Sequence, residues 1–259
     1  MAEATQRYFI WLSYDGTAYN GWQVQPNGNT VQAELEKALS VLLRQRIEVT
    51  GAGRTDAGVH ARVMAAHFDC CGALPQAPVY RLNCLLPPDI AVSRVEAVAA
   101  DMHARFSARA RTYHYYIHAR KDPFLRHHSL ELMHTAYDFD AMNAAAALLM
   151  EYSDFASFCK SQSDNKTTLC RVTEACWVDD GDGRWHFVIT ADRFLRNMVR
   201  AIVGTLLKVG RGKISVDDFR NIIERRDRCA AGDSAPAHAL FLHDIRYDMP
   251  PESSSVISC

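Results

Sequence analysis

The sequence lacks the marks of several classes of protein. Its eight cysteines form no C-x-x-C pair, and no set of cysteines and histidines has zinc-finger spacing, which argues against a zinc module. No apolar run approaches the roughly 18 residues that a membrane span requires. Residues 1–7 contain no apolar signal core. We therefore expect a cytoplasmic protein with reduced thiols that binds neither a membrane nor a metal.

An excess of positive charge is also missing. Lys and Arg total 29 against 30 Asp and Glu, which gives a formal net charge of −1 and argues weakly against a nucleic-acid binder. Basic residues nevertheless concentrate in two stretches, 103–128 and 192–213. Either stretch alone is equally well explained as a solvated face. Two of them in a neutral chain favour a local surface for an anionic substrate.

The hydrophobic pattern predicts strands and helices along the whole chain. Runs of β-branched and aromatic residues predict strands at 8–15, 46–50, 63–69, 90–98, 112–119, 171–178, 184–191 and 241–247. Helical spacing predicts helices at 31–42, 141–150 and 198–209, and a last one from residue 215. Ser215 and Asp218 have capping-box spacing, and either Asp138 or Asp140 can cap the second helix. Strands that are adjacent in sequence favour antiparallel pairing, and the mixture is typical of an α+β fold.

The segment Gly51–His60 is the strongest candidate for chemistry. Its three glycines permit positive φ and the close approach of another chain. Arg54, Thr55 and Asp56 place a cation, a hydroxyl and a carboxylate on a loop that follows a predicted strand, where functional residues are common. The residues alone favour a simpler interpretation, a polar turn in which Asp56 accepts hydrogen bonds from nearby backbone amides.

The loop 54–60, with the sequence Arg-Thr-Asp-Ala-Gly-Val-His, resembles the signature of the tRNA pseudouridine synthase A family. Other blocks match that family in order and spacing, namely 14–16 with 21–23, 31–32, 86–90, 103–108, Tyr113, 198–200 with 203–204, and 240–242. The resemblance therefore extends from about Tyr8 to Tyr247. Several ordered blocks are far more specific than one short motif.

The resemblance implies a fold of two structurally similar α+β halves whose sheets, largely antiparallel, join into one extended sheet. The active-site cleft would lie between the halves. We expect the first half to cover residues 1–105 and to carry the Asp56 loop. The second half, residues 106–259, would carry Tyr113 and Arg200.

The resemblance also implies roles for four residues. Asp56 would be catalytic, and Arg200 would be the cation that pairs with it, since a nearby positive charge stabilises a carboxylate in its ionised form. Tyr113 would contact a target base that has been extruded from the RNA stem. Arg54 would fill the space left by that base or bind phosphate.

The implied activity is the conversion of uridine to pseudouridine at positions 38, 39 and 40 of the tRNA anticodon stem-loop. The reaction breaks the bond from C1′ to N1, turns the base and rejoins it at C5, without a cofactor or metal. Residue types leave three first steps open, which are attack on C6, attack on C1′ and removal of a ribose proton. The family further implies a homodimer.

Two alternatives come from other classes. A catalytically idle module would bind tRNA through the same basic and aromatic residues without producing the isomer. A zinc nucleobase deaminase would also handle extruded bases, but the sequence lacks its H-x-E and P-C-x-x-C motifs. Two departures from the family, Val63-Met64-Ala65 after the signature and Ala239 where glycine is usual, put local backbone geometry in question.

Overall fold

A computed structural model describes residues 5–26, 28–132, 136–160 and 167–248. Most of residues 1–7, in which the sequence contains no apolar signal core, lies outside the described residues, as does Cys259. Within the described ranges, nine strands form one sheet and five α-helices pack around it. The α+β fold predicted from the sequence is confirmed.

The strands follow an order that differs from their order in the chain. Their bounds are β1 Thr5–Tyr14, β2 Val49–Gly51, β3 His60–Cys71, β4 Ile90–Val98, β5 Ala108–His118, β6 Leu130–Glu131, β7 Val172–Gly181, β8 Arg184–Ala191 and β9 Leu240–Tyr247. The main path is β4-β1-β3-β9-β5-β8-β7, with β2 on β3 and β6 on β5. Most pairs are antiparallel, while β3–β9 and β5–β6 are parallel.

The strand β9 joins the two parts of the sheet. It pairs antiparallel with β5 over most of its length. On its other edge it meets β3 in parallel, through His60 opposite Phe241 and Ala61 opposite Leu242. One continuous sheet therefore connects the first and second parts of the chain, as the resemblance implied. The division between residues 105 and 106 stays a prediction.

Three of the five described helices begin at a polar side chain that caps them. The bounds of the five are α1 Val31–Leu43, α2 Pro78–Leu85, α3 Phe139–Leu148, α4 Met198–Gly210 and α5 Val216–Arg225, and the three with such a cap are α1, α3 and α5. Asp138, and not Asp140, caps α3 by accepting the N–H of Ala141. The capping box on α5 forms in both directions between Ser215 and Asp218.

Two local predictions were wrong. The strand expected at 46–50 is short and lies at Val49–Gly51, because the preceding residues form the turn that leaves α1. The helix α2 lies in a stretch for which no helix was predicted. It begins at a proline, has no side-chain cap and buries only Leu82, and its eight residues are fewer than the window over which helical periodicity is recognised.

The helix α4 sets the position of one predicted site residue. Ten of its 13 residues are buried, which is typical of a helix enclosed by the core. Arg200 is one of the exceptions, because its side chain leaves the helix toward the loop that precedes β3. The packing of α4 therefore fixes where this guanidinium lies.

Buried histidines predict that acid will destabilise the fold. His67 in β3 is 7% exposed, and its Nδ1 accepts the N–H of Ala104 at 3.1 Å. Burial, together with the charges of His103 and Arg7, lowers the pKa of His67 to about 4. The unfolded chain, whose histidines have a pKa of about 6.5, then binds a proton before the folded protein does.

The contribution of His67 is therefore complete above about pH 6.5 and is lost as pH falls toward 4, at up to about 1.4 kcal/mol per pH unit. Urea unfolding at pH 7.5 and pH 5 should show this loss. His67→Asn, whose Oδ1 corresponds to Nδ1 and so retains an acceptor for Ala104, should make the pH dependence shallower. An unchanged pH dependence in the variant would show that His67 does not carry it.

Candidate active site

The segment that precedes β3 forms a loop tied to its surroundings by backbone hydrogen bonds. Ala52 donates its N–H to Ala65 O at 2.8 Å, and Val59 donates to Asp56 O at 3.1 Å. Gly58 has a φ of +77°, a left-handed conformation that glycine adopts without strain, and donates to Tyr19 O at 3.3 Å. The loop is thus an ordered turn that presents Asp56 to the outside.

The residue before Asp56 anchors the loop to the first part of the chain. Thr55 is buried, and its hydroxyl shares a hydrogen bond of 2.9 Å with the hydroxyl of Tyr14. Trp22 donates its N–H to Thr55 O at 3.3 Å. Gly21 lies so close that a Cβ there would be 2.3 Å from the same oxygen. Contacts with residues 14–22 therefore fix the backbone on which Asp56 stands.

Asp56 and Arg200 form an ion pair, as the resemblance implied. Arg200 Nη1 lies 3.2 Å from Asp56 Oδ2. The same guanidinium donates from Nε to Ala235 O at 2.7 Å, and Ala235 donates its N–H back to Arg200 O at 2.9 Å. The side chains are 31% and 21% exposed, so the carboxylate is fixed in direction yet open to an approaching molecule.

Tyr113 lies near this ion pair, on the face of β5 that it shares with Tyr115. It is 9% exposed, and the ring of Phe194 meets it edge-on with centroids 5.0 Å apart. Burial raises the pKa of Tyr113 to about 12, while the charge of Arg111 lowers it and that of Asp56 raises it. Its phenol is therefore neutral at physiological pH.

The neighbouring tyrosines of β5 have other surroundings. Tyr115 is fully buried and donates its hydroxyl to Pro236 O at 3.0 Å, which is the environment of a packing residue. Tyr116 packs edge-on against the ring of Phe241, with centroids 5.2 Å apart. Of the three, Tyr113 is the one whose pKa is affected by the charge of Asp56, while the charge of Arg200 acts on Tyr115.

Arg111 belongs to the site, although the sequence did not single it out. Its guanidinium donates to Ala52 O at 2.9 Å, to Arg105 O at 2.7 Å and to Asp192 O at 2.8 Å. It thus connects the start of the Asp56 loop to the second part of the chain. Burial lowers the pKa of Arg111, but an arginine remains charged. Strand alternation could have found it, since it lies two residues before Tyr113 on the same face.

The exposure and contacts of Arg54 differ from those of the other predicted site residues. It is exposed at the edge of the loop. It makes no ion pair with any residue in the part of the chain that the structure describes. Its predicted role in filling space or binding phosphate stays a prediction.

The two departures from the family differ in their backbone geometry. The pairing of β3 with β1 shifts register beside Val63, between the pairs Leu12–Met64 and Tyr14–Ala61. Met64 and Ala65 are fully buried in β3, where they pair with Leu12 and Trp11 of β1. Ala239 is fully buried and does not have a positive φ. An alanine therefore fits there without the conformational freedom of glycine.

The structure divides each predicted basic stretch between two places. Arg105 precedes β5 and Arg111 lies near its start, whereas Arg120 and Arg126 follow its end. Arg111 donates to the backbone of Asp192, next to Arg193, so the two stretches meet beside the Asp56 loop. The other basic residues of the two stretches lie farther from this meeting point, along the strand, helix or turn to which they belong.

Comparison with known proteins connects this geometry to a family. A family model described as tRNA pseudouridine synthase matches residues 10–107 and 145–248. These segments contain Arg54, Asp56 and Arg200, while Tyr113 lies between them.

Individual relatives match over nearly the whole chain. A tRNA pseudouridine synthase A from Bacteroides thetaiotaomicron is 56% identical over 245 residues, which cover 93% of this chain and 91% of that protein. Proteins of the same name from Porphyromonas gingivalis and Bacillus subtilis are 56% and 44% identical. They cover 93% and 92% of this chain and 97% of their own lengths.

The contacts of Arg111 predict a large loss of stability on a conservative change. Arg111→Lys cannot reach the three carbonyls at once, and a charged hydrogen bond contributes about 1.5–3 kcal/mol. We expect urea unfolding to show a loss of about 2–4 kcal/mol.

Arg109→Lys is the matched control on the same strand. Arg109 forms an exposed ion pair of 2.7 Å with Asp248, so its replacement should change stability by no more than about 0.5 kcal/mol. Equal effects of the two substitutions would mean that the bridging contacts of Arg111 do not stabilise the site.

Proposed function

Since the chain belongs to the tRNA pseudouridine synthase family, we propose that it isomerises uridine to pseudouridine in tRNA. The proposed targets are positions 38, 39 and 40 of the anticodon stem-loop. The observation that carries the proposal is the ion pair of Asp56 and Arg200, held at 3.2 Å beside Tyr113 and left partly open to solvent.

Asp56 supplies the reacting group in this proposal. A carboxylate can add to carbon or remove a proton, and the isomerisation needs one of these steps before the bond from C1′ to N1 breaks. Arg200 holds the carboxylate from one side, through Nη1, while Ala235 O fixes the guanidinium through Nε. This arrangement stabilises the charged carboxylate and fixes its direction before substrate arrives.

Tyr113 and Phe194 supply an aromatic contact for the base. A uridine inside a stem must leave the stack before a side chain can reach it, and an aromatic ring offers it a stacking surface or an edge. The neutral phenol of Tyr113 can also donate a hydrogen bond. The proposed role of Arg54, which is exposed at the edge of the loop, is to occupy the vacated space or to bind phosphate.

We further propose that the enzyme is a homodimer of the cytoplasm. The dimer rests on the family resemblance, and light scattering should then give a mass near twice that of the 29.1 kDa chain. None of the described helices is long and apolar enough to cross a bilayer. The idle RNA-binding module gains no support, because the relatives cited are named as synthases.

The activity can be tested with tRNA transcripts that carry uridine at positions 38, 39 and 40. Incubation with the enzyme should produce pseudouridine at these positions, detected by carbodiimide modification followed by primer extension. Asp56→Asn preserves the shape of the side chain but removes its charge. It should reduce product formation to background while tRNA binding in a filter assay persists.

The control is Asp217→Asn, which alters an exposed aspartate in the first turn of α5 and should leave activity unchanged. Full activity in Asp56→Asn would refute the catalytic role of Asp56. Binding of tRNA by the unaltered protein without any product would instead favour the idle module.

A further inference from the structure

Three side chains with metal-binding atoms come together at the end of the Asp56 loop, where β3 begins. They are Asp15, which follows β1, His60, which begins β3, and His128, which precedes β6. Asp15 Oδ1 lies 3.1 Å from His60 Nδ1, and Asp15 Oδ2 lies 2.8 Å from His128 Nε2. One ligand atom from each residue lies within 4.8 Å of the others. The cluster brings together residues from the first and second parts of the chain.

The contacts of His60 fix which of its nitrogens carries a proton. The side chain is 1% exposed, and Nε2 lies 2.9 Å from both His127 O and His238 O. Two carbonyl oxygens require a donor between them, so Nε2 carries the proton. Nδ1 then presents a lone pair, which accepts the N–H of Gly16 at 3.0 Å.

This lone pair also faces a carboxylate. Two acceptor atoms, the unprotonated His60 Nδ1 and Asp15 Oδ1, lie 3.1 Å apart, and two lone pairs that face each other repel unless a proton or a cation lies between them. A bound cation would turn the same approach into an attraction, because both atoms could coordinate it.

The outer contacts of the cluster match those of known metal ligands. A histidine that binds a metal commonly donates its other ring N–H to a backbone carbonyl, and ligating carboxylates are themselves hydrogen-bonded. His60 Nε2 has that arrangement with His127 O and His238 O. Asp15 Oδ1 accepts the backbone N–H of Thr17 at 2.9 Å and also its hydroxyl. Asp15 Oδ2 lies 2.8 Å from His128 Nε2, so both carboxylate oxygens are held within the cluster.

We propose that Asp15, His60 and His128 bind one divalent transition-metal ion through one carboxylate oxygen, Nδ1 and Nε2, with water in the remaining positions. Two imidazoles and one carboxylate favour Zn²⁺, Co²⁺ or Ni²⁺ over Mg²⁺ or Ca²⁺. Atoms that bind one ion at about 2.1 Å lie about 3.0–3.5 Å apart, so ligand atoms that now lie within 4.8 Å of one another draw together when the ion binds. The ion replaces the N–H of Gly16 at Nδ1.

The ion would be structural, since it would tie the end of the Asp56 loop to the second part of the chain. Its binding does not depend on the proposed function. The sequence-based expectation of no metal rested on ligands close together in the chain. Residues 15, 60 and 128 are far apart in sequence, so they give no spacing motif.

The test uses full-length protein without a polyhistidine tag, stripped with a chelator and titrated with Co²⁺ by absorbance and with Zn²⁺ by calorimetry. We expect one equivalent to bind. His128→Gln removes one exposed ligand and should weaken binding by about tenfold or more, whereas His127→Gln should leave it within about twofold. His127 is the matched control because its side chain is exposed and adjacent in sequence.

Thermal unfolding gives a second readout that does not involve tRNA. Zn²⁺ should raise the melting temperature of the unaltered protein and of His127→Gln, but not of His128→Gln, provided that circular dichroism shows all three to be folded. The proposal is overturned if no stoichiometric binding occurs, or if His128→Gln binds the ion as tightly as the unaltered protein does.

Discussion

The parallel contact between β3 and β9 is the constraint on which the site depends. Neighbouring parallel strands begin at the same edge of a sheet, so the segments that lead into them lie side by side. Asp56 stands in the segment before β3, and Ala235 stands in the segment before β9. Arg200 contacts both, through Nη1 and Nε. Two register pairs of one sheet thus bring together residues that are distant in the chain.

That constraint also explains what the sequence could and could not predict. Local signals were sufficient for β4, for the start of α5 at Ser215 and for the unusual composition of the Asp56 loop. The pairing of His60 with Phe241 has no local signal, because long-range strand contacts depend on the completed fold. The helix α2, with eight residues, is too short for its apolar spacing to identify it, and the role of Arg111 depends on three carbonyls from separate segments.

The degree of burial of the central ion pair suits a reacting carboxylate. A fully buried pair loses more hydration than its attraction returns, unless further hydrogen bonds compensate. A fully exposed pair contributes little to stability and does not hold its side chains in a fixed orientation. Asp56 and Arg200 lie between these limits, at 31% and 21% exposure. The contact of Arg200 with Ala235 O supplies the added direction without closing the carboxylate to substrate.

The loop that carries Asp56 is held at both of its ends by the second part of the chain. At its start, Ala52 O accepts a hydrogen bond from Arg111. At its end, His60 Nε2 donates to His127 O and His238 O. Because both anchors cross the sheet junction, a shift of one part of the chain against the other would move the loop relative to Arg200. The geometry of the carboxylate therefore depends on contacts outside the ion pair, and a change at either anchor can alter it while Asp56 and Arg200 remain intact.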